Sequence, residues 1–391
     1  MGFAPVFPAL HSSSDCQAKQ PRTKRSKLPK AALFAALITS NLALAAAPRL
    51  TDLQYLGSHN SYHAGFAPSE ATLLKQLNPA LFAALDYRHP PLAQQLDDGV
   101  RQLELDVFAD AQGGRYAHPG IAAQIAKAGL PPAPASAPAG VMDTPGFKVM
   151  HVQDVDQRSN CQPLIACLQQ VRSWSRQHPG HVPIFILLET KQAPVELGFP
   201  SVQPEPFDAG TMDALDAELR SVFRPGEYVS PDQVRGNAGT LNAAVLAHGW
   251  PSLADSRGKV VFLLDQRTAG ASYLPGHPSL RGRVCFTNAV PGQEDAAFTE
   301  LNDGPADTIT RLVKAGYLVR TRADADLKEA LQHDTTRRDS MLASGAQLLS
   351  TDFPAHESAS TGYVVRLEGD AVARCNPQRP STHCKGVDLS H

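Results

Sequence analysis

The chain has 391 residues, 42% hydrophobic and 19% charged, with 36 Lys and Arg against 38 Asp and Glu and a formal net charge of −2. Residues 1–47 hold 6 of those basic residues and 1 of the acidic ones, so the remainder carries 30 against 37, a formal charge of −7. That acidic balance, with no basic stripe, argues against a nucleic-acid partner, and the 344 residues left of 391 suffice for one large or two small domains.

Residues 1–47 resemble a secretory leader. Arg22, Lys24, Arg25, Lys27 and Lys30 form a basic lead, Ala31 to Ala47 is a short apolar run, and Ala45-Ala46-Ala47 offers a small-residue cleavage site before Pro48. The residues ahead of the basic lead are long for such a signal, which leaves open a true start later than Met1. A membrane span needs about 20 largely apolar residues, and no other segment provides them. The expectation is a leader over 1–47, a single catalytic domain over 48–391, and a secreted or periplasmic protein.

Eight runs with strand character follow in order: 53–60, 100–108, 147–152, 182–191, 259–266, 283–290, 317–323 and 346–353. Several are near-continuous Val, Ile, Leu and Phe, the pattern of parallel strands covered on both faces. Helical periodicity lies between them over 163–177, 212–223, 306–315 and 326–344. An Ala/Pro/Gly stretch from Gly129 to Gly146 interrupts this order without dividing it, inside a loop over 109–146 expected to overhang the strand ends. Eight strands alternating with helices predict an α/β TIM barrel. A doubly wound sheet would require a Gly-rich phosphate turn after the first strand, and Gly57-Ser58-His59-Asn60 is not one. Cys161 with Cys167 and Cys375 with Cys384 suggest two small disulfide-closed loops in an exported protein. Cys285, in Val284-Cys285-Phe286, reads as a buried free thiol, and no cysteine spacing makes a zinc site.

In such a barrel reactive groups gather at the C-terminal strand ends, where His59, Asn60, Glu104, Asp106, His151, Glu189 and Lys191 all fall. Glu104 and Asp106 are two apart and project to one side; carboxylates held so closely need a cation between them or a proton. With Glu189 and the Asn60 carbonyl they form an oxygen-rich set suited to Ca²⁺ or Mg²⁺ rather than zinc. His59 and His151 lie outside that set and are matched to moving protons near neutrality. His63 and His118 lie in loops and are read as solvent groups or, as the second alternative, substrate contacts. Lys191, Arg320 and Arg322 suit an anionic substrate, above all a phosphate.

His59-Asn60-Ser61-Tyr62 after a strand, Glu104-Leu105-Asp106, His151 and Glu189 occur in the order and strand positions of the phosphatidylinositol-specific phospholipase C superfamily. The chain after the leader is most similar to its calcium-dependent branch, including the stretches 316–326 and 345–354. The resemblance implies a TIM barrel, a bound Ca²⁺ held by Asn60, Glu104, Asp106 and Glu189, and a phosphodiester lipid such as a phosphoinositide as substrate. It further implies His59 and His151 as the acid–base pair, Lys191, Arg320 and Arg322 on the phosphate, and a cyclic inositol phosphate as first product. Contact with a membrane surface would be transient, and no protein partner is implied. Two other readings use the same barrel: a glycerophosphodiester phosphodiesterase, whose usual His-Arg-Gly opening is replaced here by His59-Asn60-Ser61, and a non-catalytic barrel binding a phosphorylated ligand.

Overall fold

The computed structural model describes residues 47–379, 384 and 386–389; the expected leader lies outside them but for Ala47. Strands β1 (Leu53–Ser58), β2 (Gln102–Phe108), β4 (Ile184–Thr190), β5 (Val260–Leu264), β6 (Phe298–Glu300), β7 (Leu318–Arg322) and β8 (Leu348–Thr351) form one parallel sheet in the order β5-β4-β2-β1-β8-β7-β6. Between β5 and β6 the chain supplies single parallel bridges, Leu263 to Phe286 and Asn288 to Phe298. The result is a nearly closed seven-stranded parallel barrel surrounded by helices, in the TIM-barrel class that the sequence predicts. Strands β1 and β2 are buried at every residue, as expected where helices cover the outside and packed side chains fill the inside.

Two expected strands are corrected. The run at 147–152 is not a barrel stave: only Lys148–Val149 (β3) is a strand, and it pairs antiparallel with the end of β2, Val107 opposite Val149. Its apolar residues are buried against β2, which gives strand-like composition but carries no sign of direction. The run at 283–290 joins the barrel through bridges alone. The stave that completes the order is β6, three residues long, too short to stand out as a run. A final strand, β9 (Ala373–Cys375), pairs antiparallel with the N-terminal half of β1.

Among the helices, Leu164–Gln177 buries Leu164, Cys167, Leu168, Val171 and Trp174 at helical spacing. Helix Ala209–Val222 starts at Asp208, whose carboxylate accepts from the Thr211 amide at 2.8 Å. Ala306–Ala315 stops at Gly316 in the left-handed region, φ 110°. The single helix expected over 326–344 is two, Lys328–Gln332 and Thr336–Ser344, because His333 at φ 51° turns the chain and the Asp334 carboxylate, one residue before the cap, accepts from the Thr336 amide at 2.9 Å. Gly57 lets β1 and β2 approach: a Cβ there would lie 2.2 Å from Gln102 Oε1. Cys161–Cys167 and Cys375–Cys384 are disulfides and Cys285 is a buried free thiol, as expected. No helix of the described residues is long and apolar enough to cross a membrane.

Candidate metal and acid–base site

Strand register assembles the site. Pairing of β2 with β4 sets Asp106 opposite Glu189, and Glu104, two residues earlier on β2, shares the Asp106 face. Ligand oxygens of Glu104, Asp106 and Glu189 all lie within 4.8 Å of one another. Pairing of β1 with β8 sets Ser58 opposite Thr351, so the next residues out, His59 and Asp352, emerge side by side. Their side chains meet, His59 Nδ1 to Asp352 Oδ1 at 2.6 Å. Asn60 follows in the left-handed region, φ 47°, which asparagine tolerates better than most residues.

The oxygens fit a hard cation. Glu104 and Asp106 are buried and Glu189 is partly open. Burial pushes the Glu104 carboxyl up to about 7, against the pull of Arg320, with Asp265 adding to the rise. Burial and then the Glu189 charge push Asp106 well above the carboxylate range, against the pull of Lys191. Asp106 Oδ1 and Asn60 Oδ1 are buried without a hydrogen-bond partner. Buried acceptors without donors are costly, and a divalent cation among them would satisfy both and reverse the carboxylate shifts.

Two histidines flank these acids, each backed by an aspartate. His59 is held through Nδ1 by Asp352, and its Nε2 stands 3.7 Å from Glu104 Oε1 and 3.4 Å from Arg322 Nη1. Burial first, then Arg322 and Arg320, lower its pKa well below the ordinary value, so it is neutral and able to accept a proton. His151 Nδ1 lies 3.1 Å from Asp156 Oδ2, leaving Nε2 for other chemistry. The same Asp156 receives His63 Nε2 at 2.9 Å. His63 is therefore no solvent group: it is fully buried, its Nδ1 donating to the Tyr87 carbonyl at 2.9 Å. His118 is exposed as expected.

The three cations differ. Lys191 Nζ lies 3.0 Å from both Asp106 Oδ2 and Glu189 Oε1; burial works against its charge, but those two acids overcome this and raise its pKa. Arg322 reaches Asp352 Oδ2 at 3.2 Å and borders His59. Arg320 is buried below them, with Nη1 at 2.6 Å from both Glu300 Oε1 and Asn302 Oδ1 and Nη2 on Glu104 and Ser350. In this structure it braces Glu104.

Sequence reasoning missed Asp352, Asp156, Tyr87, Asp265 and Glu300. Asp265 directly follows β5 as Glu189 nearly ends β4, so the strand-end rule already applied to it; with Glu300 it extends the acid row, burial and then Glu300 pushing its carboxyl up to about 8. Asp352 directly follows β8 within the stretch 345–354. Asp156 carried only the hint of a second acid five residues past His151.

The profile of the phosphoinositide phospholipase C, Ca²⁺-dependent, family matches residues 48–377. No curated protein matches the chain. Among solved structures it is similar to a calcium-dependent phosphoinositol-specific phospholipase C from Pseudomonas sp., at 18% identity over 84% of this chain and 95% of that one, TM-score 0.51. It is also similar to a Ca²⁺-dependent phosphatidylinositol-specific phospholipase C from Streptomyces antibioticus, at 20% identity over 78% of this chain and 95% of that one, TM-score 0.50.

Proposed function

This chain belongs to the calcium-dependent phosphoinositide phospholipase C family, and from that premise we propose that it cleaves phosphatidylinositol to diacylglycerol and a cyclic inositol phosphate. The observation that carries the reading is a cluster of carboxylate oxygens met by two aspartate-backed histidines, His59 at 3.7 Å from Glu104 and His151 directly after Met150, whose amide donates to the Asp106 carbonyl at 3.3 Å.

Asn60, Glu104, Asp106 and Glu189 would hold the calcium, which when bound neutralises phosphate charge and lowers the pKa of the attacking hydroxyl. Neutral His59, oriented by Asp352, takes the proton of the inositol 2-hydroxyl at Nε2. The 2-oxygen then bonds to phosphorus as the bond from phosphorus to the glycerol oxygen breaks. His151, oriented by Asp156, gives its proton to that departing oxygen. Lys191 and Arg322 hold the phosphate oxygens as negative charge builds, and Arg320 acts one layer down by fixing Glu104. The attacking group belongs to the substrate, so the first product is cyclic. The two disulfides and the leader pattern of residues 1–47 support export.

Phosphorus NMR of the products from phosphatidylinositol, with calcium and with EGTA, tests the reading. A cyclic phosphodiester that appears only with calcium is expected. Release of glycerol phosphate from glycerophosphocholine, with phosphatidylinositol untouched, would replace this reading by the glycerophosphodiesterase one.

A further inference from the structure

We propose that Tyr87 is a positioning residue for the cation: its hydroxyl sorts the two ends of the Asn60 amide so that oxygen, not nitrogen, serves the site. The inference rests on the functional reading above in taking Asn60 as a calcium ligand.

An asparagine amide has two ends of nearly equal shape and opposite chemistry, the oxygen accepting and the nitrogen donating. Only the oxygen can ligate a hard cation. Before the cation arrives, however, the neighbouring strand presents carboxyl oxygens. The Ser61 amide, next along the chain from Asn60, donates to the Glu104 carbonyl at 3.0 Å, which holds the Asn60 turn against β2, the strand that carries Glu104 and Asp106. Carboxyl oxygens accept from an NH₂ group whether or not the acid is ionised, and an amide free to rotate would turn that end inward and close the oxygen ligand. Something on the other side must hold the nitrogen.

Tyr87 does so. Asn60 Nδ2 donates to Tyr87 Oη at 2.8 Å, and Asn60 Oδ1 is left buried without a hydrogen-bond partner. Tyr87 cannot drift. Its amide donates to the Leu85 carbonyl at 2.9 Å, its carbonyl accepts from His63 Nδ1 at 2.9 Å, and its ring lies 4.7 Å from the His63 ring, centroid to centroid. Tyr87 and Asn60 are both buried, so water does not compete for the bond. The hydroxyl alone carries the sorting, and the rest of the side chain carries the packing. Tyr87→Phe therefore separates the two.

Calcium binding by purified Tyr87→Phe, followed by isothermal titration calorimetry and by terbium luminescence, tests this without turnover. The dissociation constant is expected to rise roughly 10- to 100-fold, the usual effect of losing a contact that orients a ligand, while the calcium-free thermal midpoint stays within a few degrees of the parent. In an Asn60→Asp background the effect should shrink below about threefold, since a carboxylate has no wrong end. Parental calcium affinity in Tyr87→Phe, or a loss that persists undiminished with Asn60→Asp, would overturn the assignment. Should Tyr87→Phe fail to fold, Asn60→Asp alone decides: binding at least as tight as the parent supports sorting, and a tenfold loss overturns it. A parent chain that binds no calcium overturns the functional reading itself, a result distinct from failure of the Tyr87 variant.

Discussion

The two halves of the site are built by different means. Glu104, Asp106 and Glu189 are placed by the barrel: β2 and β4 pair over six residues, and Asp106 opposite Glu189 is one rung of that ladder. His59 and Asp352 are placed the same way by β1 and β8. His151 and Asp156 lie beyond β3, on an excursion outside the barrel order, and owe their position to a tight turn in which the His151 amide donates to the Asp156 carbonyl at 3.1 Å, together with side-chain bonds. Asp156 joins His151 to buried His63, while Asp154 accepts from the Gly120 amide at 2.8 Å and the Val202 amide at 2.6 Å, tying the His151 turn to its neighbours. The three acids proposed to converge on one ion are set by rigid strands; the histidine proposed for the leaving oxygen is carried on a loop and locked by polar bonds.

The largest effect should fall on the strand-built half. EGTA, or Asp106→Asn, is expected to lower phosphatidylinositol cleavage roughly a thousandfold or more, with calcium binding lost in Asp106→Asn by calorimetry. Undiminished turnover in EGTA would break the division, because the acids would then have no cation to hold. Next comes His151→Ala. It should reduce turnover by about two to four orders of magnitude while calcium affinity stays within about threefold of the parent. Equal losses of turnover and calcium affinity would show that the excursion is part of the cation site after all.

The same contrast explains what the sequence disclosed. Barrel class and strand-end acids were legible because parallel strands write apolar runs and because a barrel gathers its strand ends; Glu104, Asp106 and Glu189 followed from two local rules. The excursion was not legible in this way. Val149 and Met150 are as buried as any barrel residue, so 147–152 reads as a strand whichever way it runs, and the three-residue β6 left too little pattern to take its place. His63 looked like a loop histidine because its partner is 93 residues away. Arg320 and Arg322, two apart on β7, looked equivalent, yet one bonds beneath Glu104 and the other borders His59. Spacing gives a shared face, not depth along it.

The aspartates behind the histidines sharpen the comparison at smaller amplitude. Asp156→Asn and Asp352→Asn should each cost about 10- to 150-fold in turnover, corresponding to the roughly 1.5–3 kcal/mol of a hydrogen bond to a charged group. Their kinetic signatures should differ. Asp352 also holds Arg322, so Asp352→Asn is expected to raise KM as well as lower kcat, whereas Asp156→Asn lowers kcat with KM near the parent value. Identical signatures would mean that Asp352 and Asp156 play the same part.

The smallest effect concerns stability and belongs to the loop-built half alone. Burial works against charge on both His63 and Asp156, but each overcomes it for the other: the Asp156 carboxylate raises the His63 pKa above 6.5, and His63 with His151 depresses Asp156 below the carboxylate range. The depressed Asp156 contributes stability above its unfolded value near 3.8, lost as pH falls toward the folded one; the raised His63 contributes below 6.5, lost as pH rises through its folded value. Both contributions are present together only between those limits. The difference in thermal midpoint between the parent and Asp156→Asn, measured without calcium, should therefore be widest near pH 5 and narrower by a few degrees at pH 9. A difference that is flat from pH 5 to 9, or widest at pH 9, would show that His63 stays neutral and that the excursion is held by ordinary hydrogen bonds rather than by an ion pair.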